Sequence, residues 1–164
     1  MKYLLDSNTY IQAKNFYYNM EFCPAYWDWL DAEYEKGNLA SIANVYDELK
    51  VYGDELSSWV KKRKNHFVED SDDATQEKFA EVAEYVANLA NKKPEHIANF
   101  LDKADPWLIA KASTLKATIV THERLDPPSS KNVKIPNICQ VFEVEYISTY
   151  DLLRRLEAQF ILSL

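Results

Sequence analysis

The sequence predicts a three-layer α/β/α fold in which helices flank a central parallel sheet, with a helical insert over roughly residues 54–102. Three observations carry that prediction. Short apolar runs suited to buried strands (YLL at 3–5, LASI at 39–42, TIVTH at 118–122) recur along the chain. Segments with helical spacing of apolar residues separate them, and strands alternating with helices imply parallel pairing with right-handed crossovers. The length of 164 residues suits one domain with a substantial core, and no internal repeat or linker interrupts it.

In chain order, the first strand gives way to a helix starting near Thr9. FCPAYWDWLDAEYEKGN (22–38) is the next helix, opened by Pro24 and closed before Gly37, with Tyr26, Trp27, Leu30 and Tyr34 forming an apolar stripe. After LASI, residues 44–64 form two helical pieces broken near Gly53, and HFVE (66–69) is extended. DDATQEKFAEVAEYVANLANKK (72–93) is a helix with an acidic start and basic end, and Phe79, Val82, Val86 and Leu89 share its apolar side. Two further helices, PEHIANFL (94–101) and DPWLIAKASTLK (105–116), lead into TIVTH, whose β-branched residues favour a strand. Prolines and serines make 126–136 a loop. NICQVF (137–142) is then a short helix, EYIS (145–148) a last strand, and TYDLLRRLEAQF (149–160) a closing helix.

Composition excludes several functions. With 2 Gly and no GxGxxG or Walker-type stretch, phosphate binding by a glycine-rich loop is ruled out. Cys23 and Cys139 are too few and too far apart for a zinc or CxxC motif, and their apolar neighbours make them buried hydrophobes suited to a reducing compartment. The apolar start is too short for a signal peptide and nothing approaches a spanning segment, so a cytoplasmic setting without a membrane partner is expected. The net charge of −7 opposes non-specific binding to nucleic acid, unless local cations answer it.

In a parallel α/β sheet, ligands bind beyond the carboxyl ends of the strands. Asp6 stands at one such end, directly after YLL, and Glu123 closes TIVTH. Glu48 follows LASI, and Asp105 opens the helix leading to TIVTH. Each acid alone has a plainer explanation: Asp6 and Asp105 as helix caps, Glu48 as part of a solvated helix face, Glu123 as a loop acid. Together they form four carboxylates from four chain regions, a clustering that costs free energy unless cations neutralise it. Such an all-oxygen set selects Mg²⁺ or Mn²⁺.

LLDSNTYI, VYDEL, ADPWLIAKA and VTHE, in that order and at these separations, resemble the acidic motifs of the PIN-domain family. The resemblance spans nearly the whole chain. It is closest to a VapC-like branch with a long helical insert, the DPWLIA and VTHE wording and a KIPNIC segment (134–139). It implies a single PIN-like domain acting as a metal-dependent endoribonuclease, the toxin of a toxin–antitoxin pair, with RNA as substrate, a neighbouring antitoxin as protein partner and a homodimer as a possible assembly. It places Asp6, Glu48 and Asp105 in the acidic core and Glu123 where many members have Asp. Thr121 corresponds to the residue that orients the first acid, and Ser7 and Asn8 are supporting candidates. His122 replaces the more usual Asn.

For the substrate, His122, Arg124, Lys131 and Lys134 flank the expected mouth and are the candidates to hold RNA. KKRK (61–64) and KK (92–93) are solvated helix ends, and His66 and His96 are surface or helix residues. Trp27 and Trp107 are packing residues, and the aromatic helix 24–36 is either core or a dimer face. Three other functions remain open: a PIN-like fold serving as a non-catalytic protein-binding module, a metal-dependent DNA nuclease, and a phosphatase.

Overall fold

The computed structural model describes all residues from Met1 to Leu164. Five strands, β1 (Tyr3–Leu5), β2 (Leu39–Ile42), β3 (Phe67–Val68), β4 (Thr118–Val120) and β5 (Tyr146–Ile147), pair in parallel in the order β3-β2-β1-β4-β5. Nine helices flank the sheet: α1 (Ser7–Asn15), α2 (Pro24–Glu35), α3 (Ala43–Leu49), α4 (Glu55–Lys61), α5 (Asp73–Ala87), α6 (Pro94–Asp102), α7 (Asp105–Leu115), α8 (Ile135–Val141) and α9 (Thr149–Arg155). The result is the expected three-layer α/β/α architecture. The insert region holds α4, β3, α5 and α6, so it contributes an edge strand as well as helices.

The strands are mostly apolar because both faces of the sheet are covered, and the buried Ser41 of β2 satisfies its hydroxyl by donating to the Leu5 carbonyl at 2.6 Å. Leu4, Leu39, Ile42, Ile119 and Val120 are all fully buried, and Leu108 and Ile109 of α7 join them in one continuous core. Gly37 and Gly53 end α2 and precede α4 with φ of +74° and +68°, a backbone that other residues adopt only at a cost. No helix is long and apolar enough to cross a membrane.

Three helix boundaries differ from expectation. The helix expected over 72–93 stops at Ala87, because the following segment bonds a loop instead. Asn91 donates to the Pro128 carbonyl (2.7 Å), and Lys92 to that of Ser130 (2.6 Å). The closing helix stops at Arg155 rather than 160, since Glu157 takes φ +52° and Phe160 turns back onto Tyr18, Tyr26 and Trp29. α8 starts at Ile135, earlier than expected, with Pro136 supplying a helix-compatible φ in its first turn.

Other expectations meet mixed outcomes. Tyr26, Trp27 and Leu30 of α2 are buried in the chain's own core, so that stripe is not a free dimer face. His66 is not a surface residue. It is buried, stacked on Tyr34 with centroids 4.0 Å apart, and its Nε2 lies 3.5 Å from Asp31. Trp107 packs flat on Phe79 at 3.9 Å, as a packing residue should. Cys139 is buried, and burial pushes its thiol up to about 12; Cys23 is half-buried where α2 begins, and both are free.

Candidate functional site

The sheet order places a crevice between β1 and β4. From β1 the chain moves outward to β2, while β4 continues outward the opposite way to β5, so no connection covers the carboxyl ends of the central pair. Leu5 pairs with Val120, which sets Asp6 level with Thr121 at the two tips. The Asp6 amide donates to the Val120 carbonyl at 2.9 Å. The Thr121 hydroxyl donates to Asp6 Oδ2 at 2.9 Å and accepts the Glu123 amide at 3.1 Å. That hydroxyl ends the strand: expected to run through His122, β4 stops at Val120, and the turn at Thr121 brings Glu123 to the crevice.

Glu48 enters from α3. Its Oε1 accepts the Ala104 amide at 2.7 Å, and its Oε2 accepts the hydroxyl of Ser7. One carboxylate therefore fastens the starts of α1 and α7. Asp105 is the first residue of α7, and its carboxyl makes no capping bond; Asp6 likewise precedes α1 without capping it through its side chain. The capping alternatives for these two acids fail.

Asp6, Glu48, Asp105 and Glu123 line one crevice of about 470 Å³, together with Ser7, Asn8 and Lys103. Burial, reinforced by the charges of Glu123 and Glu48, pushes Asp6 up to about 7 despite the Thr121 hydroxyl. Burial also holds the Asp105 carboxyl well above the usual carboxylate range, with Asp6, Glu123 and Glu48 adding to the effect and Lys103 opposing it. The buried Asp6 and the half-buried Asp105 are thus short of positive charge, and the donors are all oxygen, a set that fits a hard divalent cation. No three of these side chains stand in ready ligating geometry, however. Glu48 and Glu123 each have an oxygen engaged by a backbone amide, the latter by Ile135 at 2.7 Å.

Thr121 and Ser7 each donate a hydroxyl to one of the acids, Asp6 and Glu48 respectively. Asn8 lines the crevice, but its Oδ1 accepts the His122 amide at 3.2 Å instead of assisting an acid. His122 itself is misplaced by the sequence argument. Its ring turns away from the crevice into a separate hollow of about 90 Å³, beside Phe16, Tyr17 and Tyr150, with Nε2 3.2 Å from the Thr149 hydroxyl. A bend at His122 sends the two neighbouring side chains into different hollows, so His122 lines no part of the acidic crevice. Arg124 and Lys131 are exposed and line no part of the crevice; the Lys131 carbonyl instead accepts from the Lys93 amide (3.3 Å) and from His96 Nδ1 (3.0 Å). Lys134 does reach the site, in a second hollow of about 220 Å³ that shares Lys103, Asp105 and Glu123 with the crevice. Lys103 was missed; its position two residues before Asp105 was the available signal.

The model of a family described as a domain of unknown function (DUF4411) matches residues 3–160. No curated protein and no solved structure matches the chain.

Proposed function

The chain belongs to the DUF4411 family, and from that premise we propose that it is a metal-dependent endoribonuclease of PIN type. The observation that carries the reading is the arrival of Asp6, Glu48, Asp105 and Glu123, from four separate segments, in one crevice at the reversal point of the sheet. Asp6 and Asp105 are the first residues that would hold Mg²⁺ or Mn²⁺, with Glu48 and Glu123 completing the acidic wall. A divalent ion there supplies activation of a water and stabilisation of negative charge on a phosphate.

The chain's own residues do the rest. Thr121 fixes the Asp6 carboxyl, and Glu48 holds the α1 and α7 starts so that Asp6 and Asp105 keep their spacing. The resemblance to PIN domains implies a 5′-phosphate and a 3′-hydroxyl as products. The VapC-like resemblance extends the proposal to a cytoplasmic toxin restrained by an antitoxin encoded nearby. Induced expression should then slow growth unless that neighbour is co-expressed, and normal growth at normal protein levels would count against toxicity.

A second reading, a non-catalytic protein-binding module, is favoured by one observation: two of the four acids are hydrogen-bonded to backbone and no three-ligand cage is formed. A thermal melt with added Mn²⁺ separates the two. The nuclease should gain several degrees of Tm, and Asp6→Asn should remove the gain. Cleavage of an RNA pool with Mn²⁺, and none by Asp105→Asn, then identifies the activity; parallel incubations with DNA and a phosphomonoester test the other chemistries.

A further inference from the structure

The hollow beside the crevice is built from two walls. α6 supplies His96 and Asn99, with Lys103 just beyond its end, and the segment before α8 supplies Asn132 and Lys134. The walls are clamped to one another. Besides the Asn91–Pro128 and Lys92–Ser130 bonds, the Lys93 amide (3.3 Å) and His96 Nδ1 (3.0 Å) both donate to the Lys131 carbonyl. Because that carbonyl can only accept, the His96 proton is on Nδ1, and Nε2 is left without a partner.

Lys103 and Lys134 make neither a salt bridge nor a side-chain hydrogen bond, a state they share with other lysines such as the exposed Lys131, but these two are the cations that line the hollow. Lys134 is half-buried all the same. Two unpaired ammonium groups and the Asn99 side-chain amide therefore line a small polar hollow and can donate into it, whereas His96 Nε2, the unprotonated nitrogen, can only accept. It opens onto the same carboxylates that would hold the cation. The opposite flank of the crevice, formed by Ile11, Val51 and Tyr52, carries no cation.

An anion is what this hollow suits, and its place beside the acids says which anion. Resting on the nuclease reading above, we propose that the Lys103–Lys134 hollow is a subsite for the phosphate that neighbours the scissile one, so that the RNA backbone leaves the crevice on this side only. The subsite answers the charge objection: a net charge of −7 repels RNA, and these two lysines attract it at the one point where it must dock. It also makes the enzyme prefer a polymer over a single phosphoester, which sets it apart from a phosphatase.

The test compares a dinucleoside monophosphate, which has no neighbouring phosphate, with a trinucleoside diphosphate, both in Mn²⁺. Wild-type protein should favour the longer substrate in kcat/KM by roughly tenfold, the equivalent of one charge-assisted hydrogen bond, and Lys103→Ala or Lys134→Ala should erase most of that ratio. In anisotropy titrations of a labelled single-stranded RNA, the dependence of log K on log salt should become shallower by about 0.7 for each lysine removed. Lys134→Arg should restore both readouts, and Lys131→Ala, an exposed lysine outside the hollow, should alter neither. Unchanged melting curves for the alanine variants would show that they fold. If wild type cleaves RNA but the ratio and the salt slope are the same in every variant, the subsite is wrong and the nuclease stands. If wild type neither binds nor cleaves RNA, both fall together.

Discussion

Two hollows open on either side of α1, and adjacent residues feed them. Glu123 enters a polar crevice with four other acids, Asp6, Glu48, Asp102 and Asp105, while His122 enters a smaller aromatic hollow in which Phe16 is 61% and Tyr17 76% exposed. In the sequence VTHE both look like members of one motif. The backbone separates them, because the strand has ended at Val120 and the chain bends at His122, which sends the two neighbours into different hollows. What belongs to the site is decided by strand-tip register and side-chain direction, more than by nearness in sequence.

The largest effect that can break this contrast is catalytic. Asp6→Asn or Asp105→Asn should lower Mn²⁺-dependent RNA cleavage by at least about 10²–10³-fold, the usual scale for losing a group that organises transition-state charge. His122→Ala should leave most of the activity, since its ring bonds Thr149 and not the crevice. Initial rates on one RNA for the three variants decide it. A His122→Ala loss as deep as that of Asp6→Asn would mean the two hollows act as one.

The same contrast marks what the sequence could reveal. Buried strands were legible because both sheet faces are covered, which makes Tyr3–Leu5, Leu39–Ile42 and Thr118–Val120 short, largely apolar runs. The acids were legible because each sits at a strand tip or helix start, and topology alone brings such positions together. Glu48's double role was not, since its bonds to Ser7 and Ala104 span 41 and 56 residues of sequence. The substrate residues were the weakest part. Arg124 and Lys131 stand close to Glu123 and Lys134 in sequence, but long exposed side chains follow the loop's path, and only Lys134 and the overlooked Lys103 border the acids.

A second effect, in stability, has opposite signs on the two sides of α1. Asp6 titrates near 7 when folded, against about 3.8 as an unperturbed acid. Between those values the folded state holds a proton that the unfolded state has lost, so metal-free protein loses stability as pH rises from about 4 through 7. The ceiling for this one group is on the order of 4 kcal/mol. Burial lowers the His122 pKa, so there the unfolded state binds the proton more readily, and stability falls as pH drops below about 6.5. Denaturant titrations from pH 4.5 to 8 should show Asp6→Asn flattening the loss on the alkaline side and His122→Gln flattening the loss on the acid side. Equal pH profiles for wild type and Asp6→Asn would remove the claim that Asp6 is a strained, uncompensated acid.

A smaller effect sharpens the crevice itself. Thr121 bridges its two walls with one oxygen, donating to Asp6 and accepting from the Glu123 amide. Thr121→Val keeps the shape and deletes both bonds, so it should cost about 1–3 kcal/mol, the range for leaving buried polar groups unpaired. Part of that cost should return when the partner is also changed. The Asp6 carboxylate loses its one side-chain donor in Thr121→Val, whereas in Asp6→Ala no acid remains to be stranded, so the double variant Asp6→Ala/Thr121→Val should be less destabilised than the sum of the single ones. Urea midpoints of the four proteins measure the coupling, and additive values would mean that the Thr121 hydroxyl serves only the turn at Glu123 and leaves Asp6 to be held by the backbone alone.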